Sequence, residues 1–277
     1  MDIYEEIKEF YQSVNAEKRV IGKSLFDRDI FAIKIGQGSP VGIVQYAIHG
    51  REFITAKLAK VHFEKGVQTG SLWFVPLSNP DGALLSQIGL ASVKKEADKT
   101  FLLSINGGKE DFSLWKANGR GVDLNVNFPA RWGKGVQNVK SAGAANYIGT
   151  SPFSELETIA LKDLTERVRP DYTVSYHTKG EEIYWYFHQS THTCLRDLRL
   201  AKVISKVTGY PVKKTEGSVG GYKDWCIERW KIPSFTIETG QDAYAHPLGD
   251  NAFQDIKRKN ESVLFELSKA IEKELKQ

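Results

Sequence analysis

Residues 42–65 read GIVQYAIHGREFITAKLAKVHFEK. The first seven are nearly all apolar and include β-branched and aromatic types, the composition of a strand buried on both faces. In 53–65 the apolar residues recur three and four apart, the period of an amphipathic helix. A buried strand that runs into a helix is the βα half of a parallel-sheet unit. The alternation extends in both directions. Further strands are expected at 31–35, 72–77, 172–176, 183–187 and 235–237, and further helices at 2–14, 155–168, 195–207, 223–230 and 252–276. The last helix opens beside Asp250 and Asn251, good caps, and closes on lysines that suit its dipole. The pattern predicts a mixed, mostly parallel α/β sheet with helices on both faces. No repeat, low-complexity tract or Pro/Ser-rich linker breaks 1–277, so a single domain is expected.

Of the 277 residues 41% are hydrophobic and 26% charged, enough to bury a core and leave a polar surface. A net charge of +4 without a Lys/Arg block gives no nucleic-acid footprint. No apolar run approaches the ~18 residues of a membrane span. Residues 1–6 are acidic and polar, unlike the basic and apolar start of a secretory signal, so a cytoplasmic protein is expected. Cys194 and Cys226 form no C-x-x-C pair and fall in expected helices, so two inert thiols are expected in preference to a disulfide. Nothing in the sequence sets an oligomeric state.

Open α/β sheets bind ligands outside the carboxyl ends of their strands. Polar residues fall there after four expected strands: His49, Asn79, His177 and Glu238. His49 and Glu52, three apart, can reach one ion, and a catalytic metal prefers three nitrogen or oxygen ligands with a fourth position open. His177, at the end of another strand, is the candidate third ligand. His62, His188, His192 and His246 lack such surroundings and are read as surface or structural.

From about Tyr46 to Gly240 the chain resembles the zinc carboxypeptidase family. His49-Gly50-Arg51-Glu52 is similar to its first zinc motif, and Asn79-Pro80-Asp81-Gly82 to the strand-end turn that follows. Gly121-Val122-Asp123-Leu124-Asn125-Val126-Asn127-Phe128 is similar to its G-V-D-x-N-R-N motif, and Phe235-Thr236-Ile237-Glu238 to its F-T-x-E motif; His177 stands at its third ligand. The resemblance implies a three-layer α/β/α fold around a mixed eight-stranded sheet, and one Zn²⁺ held by His49, Glu52 and His177. It implies Glu238 as the base that takes a proton from water, and Asp123 as the carboxylate that orients His49. The group that stabilises the oxyanion is Lys116, by its position after Trp115, or Arg120. Arg51 and Asn125 match substrate contacts.

Val126 stands where ordinary carboxypeptidases carry an arginine that grips a C-terminal carboxylate. Aligning Gly220-Gly221-Tyr222-Lys223-Asp224-Trp225 on the family's G-G-x-x-D-W puts Glu216 in place of its mobile tyrosine. It also puts Lys223 at the pocket floor, where a cation favours an acidic substrate group; the other reading of Lys223 is an exposed lysine at a helix start. These departures, with Ala130-Arg131-Trp132-Gly133, resemble the bacterial branch that cleaves γ-D-glutamyl-meso-diaminopimelate bonds, with Arg131 as a further contact. The expected substrate is a small peptide or muropeptide, a soluble fragment in preference to intact wall, with no nucleic-acid or membrane partner. Three other readings are a conventional zinc carboxypeptidase, a deacylase or amidase on small aminoacyl substrates, and a metal-free binding module.

Overall fold

The computed structural model describes residues 1–214 and 217–276. Its strands are β1 (Glu17–Lys23), β2 (Asp29–Gly36), β3 (Val41–Tyr46), β4 (Ser71–Val75), β5 (Tyr172–His177), β6 (Glu182–Tyr184), β7 (Val212–Lys213) and β8 (Ser234–Glu238). They form one eight-stranded sheet in the order β1-β2-β4-β3-β5-β8-β6-β7. The central run β4-β3-β5-β8 is parallel, and antiparallel pairings β1/β2, β2/β4 and β6/β8 flank it. The central strands are buried along nearly their whole length, which is why they read as unbroken apolar runs.

The helices are α1 (Ile3–Ser13), α2 (Ala56–Lys65), α3 (Pro80–Ile88), α4 (Glu96–Ile105), α5 (Leu156–Val168), α6 (Thr191–Thr208), α7 (Tyr222–Trp225), α8 (Asp250–Asn260) and α9 (Val263–Leu275). Alternate strand residues face opposite layers. Val44, Phe74, Val174 and Phe235 pack with Leu58 of α2, Ile204 of α6, Ile256 of α8 and Leu267 of α9. Ile43, Trp73 and Val75 pack with Leu161 and Leu164 of α5 and with Tyr222 and Trp225 of α7. The expected three layers are therefore present. No helix among the described residues is long and apolar enough to cross a membrane.

Four differences from the sequence reading have local causes. Asn79-Pro80-Asp81-Gly82, read as a turn, is the start of α3, with Asn79 as N-cap accepting from Gly82 N–H at 2.9 Å. Proline suits this first turn because its missing N–H has no helical partner there. β1 went unread because it is a charged edge strand, exposed along much of its length. The expected helix 252–276 is two, α8 and α9. At the break the Asn260 side-chain amide takes the Ile256 carbonyl at 2.9 Å and also reaches Thr239 Oγ1 and Tyr210 Oη. Such local bonds compete with the helix. The expected helix 223–230 starts as α7 and continues from Cys226 to Trp230 as a wider π turn. Both cysteines are free, and burial pushes the Cys226 thiol up to about 12.

Under α3 lies a buried carboxyl network. Asp81 accepts from Ser24 Oγ, Phe26 N–H and Arg28 at 2.6–2.9 Å. Asn118 Nδ2 donates to Glu155 at 2.8 Å and to Glu157 at 3.2 Å. Glu157 Oε1 is buried without a partner, and burial, followed by the Asp81 charge, pushes the carboxyl up to about 8 from 4.5. The native state therefore holds a proton that the unfolded chain has released between those values. The stabilisation is full below about pH 4.5 and is lost as pH rises through about 8. Glu157→Gln, which copies the protonated form, is expected to remove this loss. Unfolding free energy measured from pH 5 to 8.5 should fall more steeply in the parent than in the variant, by on the order of 3 kcal/mol across the range. Parallel curves would refute the assignment.

Candidate metal centre

After β3 the chain turns at Ala47, in the left-handed region with φ 50°, and delivers His49 into a 3₁₀ turn, Gly50–Thr55, that carries Arg51 and Glu52. Three backbone segments meet tightly here. A Cβ on Gly50 would lie 2.4 Å from Gly82 O, and one on Gly82 would lie 2.2 Å from Ala117 O. Asn79 is buried between them and donates to Ile48 O and Ala117 O, both at 3.1 Å. Asn79 thus does not line the crevice. It ties the loop that carries His49 to the loop that carries Lys116.

β3, β5 and β8 run in step, with Tyr46 beside Tyr176 and His177 beside Glu238. Their ends bring three buried side chains together. His49 Nδ1 is 2.9 Å from Glu52 Oε1, His177 Nδ1 is 2.9 Å from Glu52 Oε2, and the two Nδ1 atoms are 3.1 Å apart. Burial opposes charge on Glu52, but the two imidazoles outweigh it and hold the carboxyl well below the usual range. His49 Nε2 lies 3.2 Å from Asp123 Oδ1, and Lys116 Nζ lies 2.9 Å from Asp123 Oδ2. Asp123 is likewise kept ionised against its burial by Lys116 and His49.

The donor set fits a metal. Two imidazole nitrogens 3.1 Å apart repel unless a proton or a cation lies between them. Ligand atoms around tetrahedral zinc, with bonds near 2.1 Å, sit about 3.4 Å from one another. The three spacings here are close to that. The Asp123–His49 contact is the carboxylate partner that commonly orients a metal-bound histidine.

Around this core, Glu238 sits at the end of β8, partly open to solvent. Burial pushes its carboxyl up to about 7, helped by Glu52 and Glu182 against His177 and Lys116. Lys116 is in the cluster through Asp123. Arg120 is not: its guanidinium is half exposed and lies 3.5 Å from Glu155. Arg51 has its Nε buried without a partner. Asn125 Oδ1 accepts from Tyr222 N–H at 3.2 Å. Gly220 packs against Val126, where an added Cβ would come within 3.0 Å of Val126 O.

Lys223 is not the exposed lysine of the second reading. It is buried, 2.5 Å from Asp224 Oδ1 and 3.1 Å from Tyr186 O, with its ammonium 5.5 Å from the Phe187 ring. Arg131 is exposed and approaches the same ring at 5.9 Å. Glu216 lies outside the described residues. His62 is structural, bonded to Tyr46 Oη and Asn260 O. His246, read as surface or structural, is instead half-buried within electrostatic reach of Arg51, Glu52, Lys179 and His49. No motif signalled it, because it arrives on the loop after β8, nearly 200 residues from His49.

The family model described as zinc carboxypeptidase matches residues 3–262. The chain is 32% identical over 249 residues to gamma-D-glutamyl-L-diamino acid endopeptidase 1 of Lysinibacillus sphaericus, covering 83% of this chain and 62% of that one. It thus spans less than two thirds of that relative's length. Murein peptide amidase A of Escherichia coli strain K12 is 30% identical over 125 residues, 41% of this chain and 47% of that one. Bovine thrombin-activatable fibrinolysis inhibitor, solved with a tick carboxypeptidase inhibitor, shares the fold at a TM-score of 0.76 and 18% identity, over 99% of this chain and 98% of that one.

Zinc added to metal-free protein is expected to raise the melting temperature through binding to the native state alone. His177→Ala should abolish the rise. Asp123→Asn should keep the fold and weaken zinc about 10–100-fold in a chelator competition. An unchanged zinc affinity in both variants would refute the site.

Proposed function

The chain belongs to the zinc carboxypeptidase family, and on that premise we propose that it hydrolyses γ-D-glutamyl–meso-diaminopimelate bonds in peptidoglycan-derived peptides. The reading rests on Val126 together with Lys223. Valine offers no charge where a conventional carboxypeptidase would grip a C-terminal carboxylate with arginine. On the same side of the crevice the buried cation is Lys223, next in the chain to Tyr222, which bonds Asn125. Asp224 and Tyr186 O accept from its ammonium, which leaves one of three protons for a ligand. Diaminopimelate carries a carboxylate on its side chain and suits that cation. The names of two relatives, a gamma-D-glutamyl-L-diamino acid endopeptidase and a murein peptide amidase, support the same substrate class.

His49 Nδ1, His177 Nδ1 and Glu52 would hold the zinc. When bound, it acidifies a water molecule and polarises the scissile carbonyl. Glu238 accepts the proton of the attacking water on its carboxylate and passes it to the leaving nitrogen. Burial raises this carboxyl above the usual carboxylate range, which favours its taking up the proton of the water. Lys116 offers its charge to the carbonyl oxygen as negative charge develops there, while Asp123 fixes the ammonium at 2.9 Å. A conventional carboxypeptidase would need a cation that Val126 does not supply.

The zinc-loaded protein is expected to release free diaminopimelate from L-Ala-γ-D-Glu-meso-diaminopimelate, followed by mass spectrometry. Glu238→Gln should lower kcat about 10²–10⁴-fold with zinc binding retained. Lys116→Met should lower kcat about 10²–10³-fold with little change in KM. Equal or faster cleavage of hippuryl peptides would overturn the substrate assignment and leave the metallopeptidase.

A further inference from the structure

The crevice has two sides, set by the two faces of the sheet. Asn125, Val126 and Lys223 are anchored to the layer of α5 and α7, through Leu124, Phe128, Tyr222 and Trp225. The loop after β8 belongs to the opposite layer, since Leu248 is buried among α2, α6, α8 and α9. That loop is tied across the strand ends by Thr239 N–H to His177 O at 2.8 Å and by Gly180 N–H to Gly240 O at 2.9 Å. It brings His246 within electrostatic reach of Arg51, Glu52, Lys179 and His49.

Three nitrogen-bearing side chains gather there. Arg51 has its Nε buried without an acceptor, and makes no ion pair among the described residues. His246 has its Nδ1 buried without a partner. Lys179 holds Asp242 through its carbonyl at 2.5 Å and its carboxylate at 3.5 Å. Asp242 is 79% exposed, so this pair is weak and readily exchanged. Burial first, then Arg51 and Lys179, push His246 down to about 4, so the imidazole is neutral and adds a hydrogen-bond donor in place of a third charge. Two cations and a neutral donor with orphaned nitrogens form a receptor for a carboxylate.

We propose that Arg51, Lys179 and His246 form an acyl-side subsite that binds the free α-carboxylate of a γ-linked acidic residue. The inference rests on the γ-glutamyl reading and deepens it. A γ-peptide bond leaves that α-carboxylate free, three carbons from the scissile carbonyl on the carbon that bears the N-acyl group, whereas an α-linked neutral residue places no charge there. With Lys223 on the leaving-group side, the substrate is gripped by charge on both sides of the metal. The subsite would also reject peptides whose α-carboxylate is amidated, since they leave the cations unpaired.

Two measurements separate this inference from the reading beneath it. The first compares hydrolysis of L-Ala-γ-D-Glu-meso-diaminopimelate with that of its α-amide, the D-isoglutaminyl tripeptide. The parent protein is expected to favour the free acid by at least 30-fold in kcat/KM. Lys179→Met and His246→Ala should each cut this preference to a few-fold, and their zinc-induced rise in melting temperature should match the parent's. The second titrates zinc-loaded Glu238→Gln with the dipeptide L-Ala-γ-D-Glu and with L-Ala-D-isoglutamine. The acid should bind at least ten-fold tighter, and Lys179→Met in that background should equalise the two. If neither tripeptide is cleaved, the γ-glutamyl hydrolase reading falls, and the titration alone decides the subsite. Equal binding of acid and amide, or a preference unchanged in both variants, overturns the proposal.

Discussion

Two imidazole nitrogens 3.1 Å apart, each 2.9 Å from one carboxylate, are the constraint around which the strand ends are arranged. The two nitrogens repel unless a proton or a cation lies between them, and the surrounding structure holds the three side chains at that spacing. Parallel registry does most of this. Because β3, β5 and β8 end in step, His49, His177 and Glu238 emerge at one edge with no long excursion. Asn79 and the Gly50–Gly82 approach then fix the loop that carries His49 against the loop that carries Lys116.

Charge is organised outward from that point. Asp123 joins His49 to Lys116, so one buried carboxylate orients a metal ligand and fixes a cation at once. Removing one partner leaves the other less compensated, at a cost in stability. Glu238, in contrast, has no ion-pair partner among the described residues, is partly open to solvent, and has its carboxyl pushed up to about 7. One carboxylate is held in its charged state by its partners, and burial makes the other a weaker acid. The difference follows from which of them is paired.

The two faces of the sheet divide the remaining tasks. The α5–α7 layer anchors the segments of Asn125, Val126 and Lys223, and the opposite layer anchors the loop of His246 through Leu248. This division is invisible in the chain, where Arg51 and His246 stand nearly 200 positions apart.

The sequence by itself determined what is local or repetitive. The apolar period located the buried strands to within two or three residues, and the spacing of His49 and Glu52 marked the start of the site. It misread elements whose identity rests on partners: β1, whose charged residues suit only an edge, the start of α3, and the break between α8 and α9. Tertiary structure alone decided between Lys116 and Arg120 as members of the cluster, because only Lys116 meets Asp123 while Arg120 turns to Glu155. It alone buried Lys223 beside Asp224 and brought His246 to the metal cluster. The reason is physical: period and propensity act over a few residues, whereas burial and charge pairing depend on which distant segments the sheet order sets side by side.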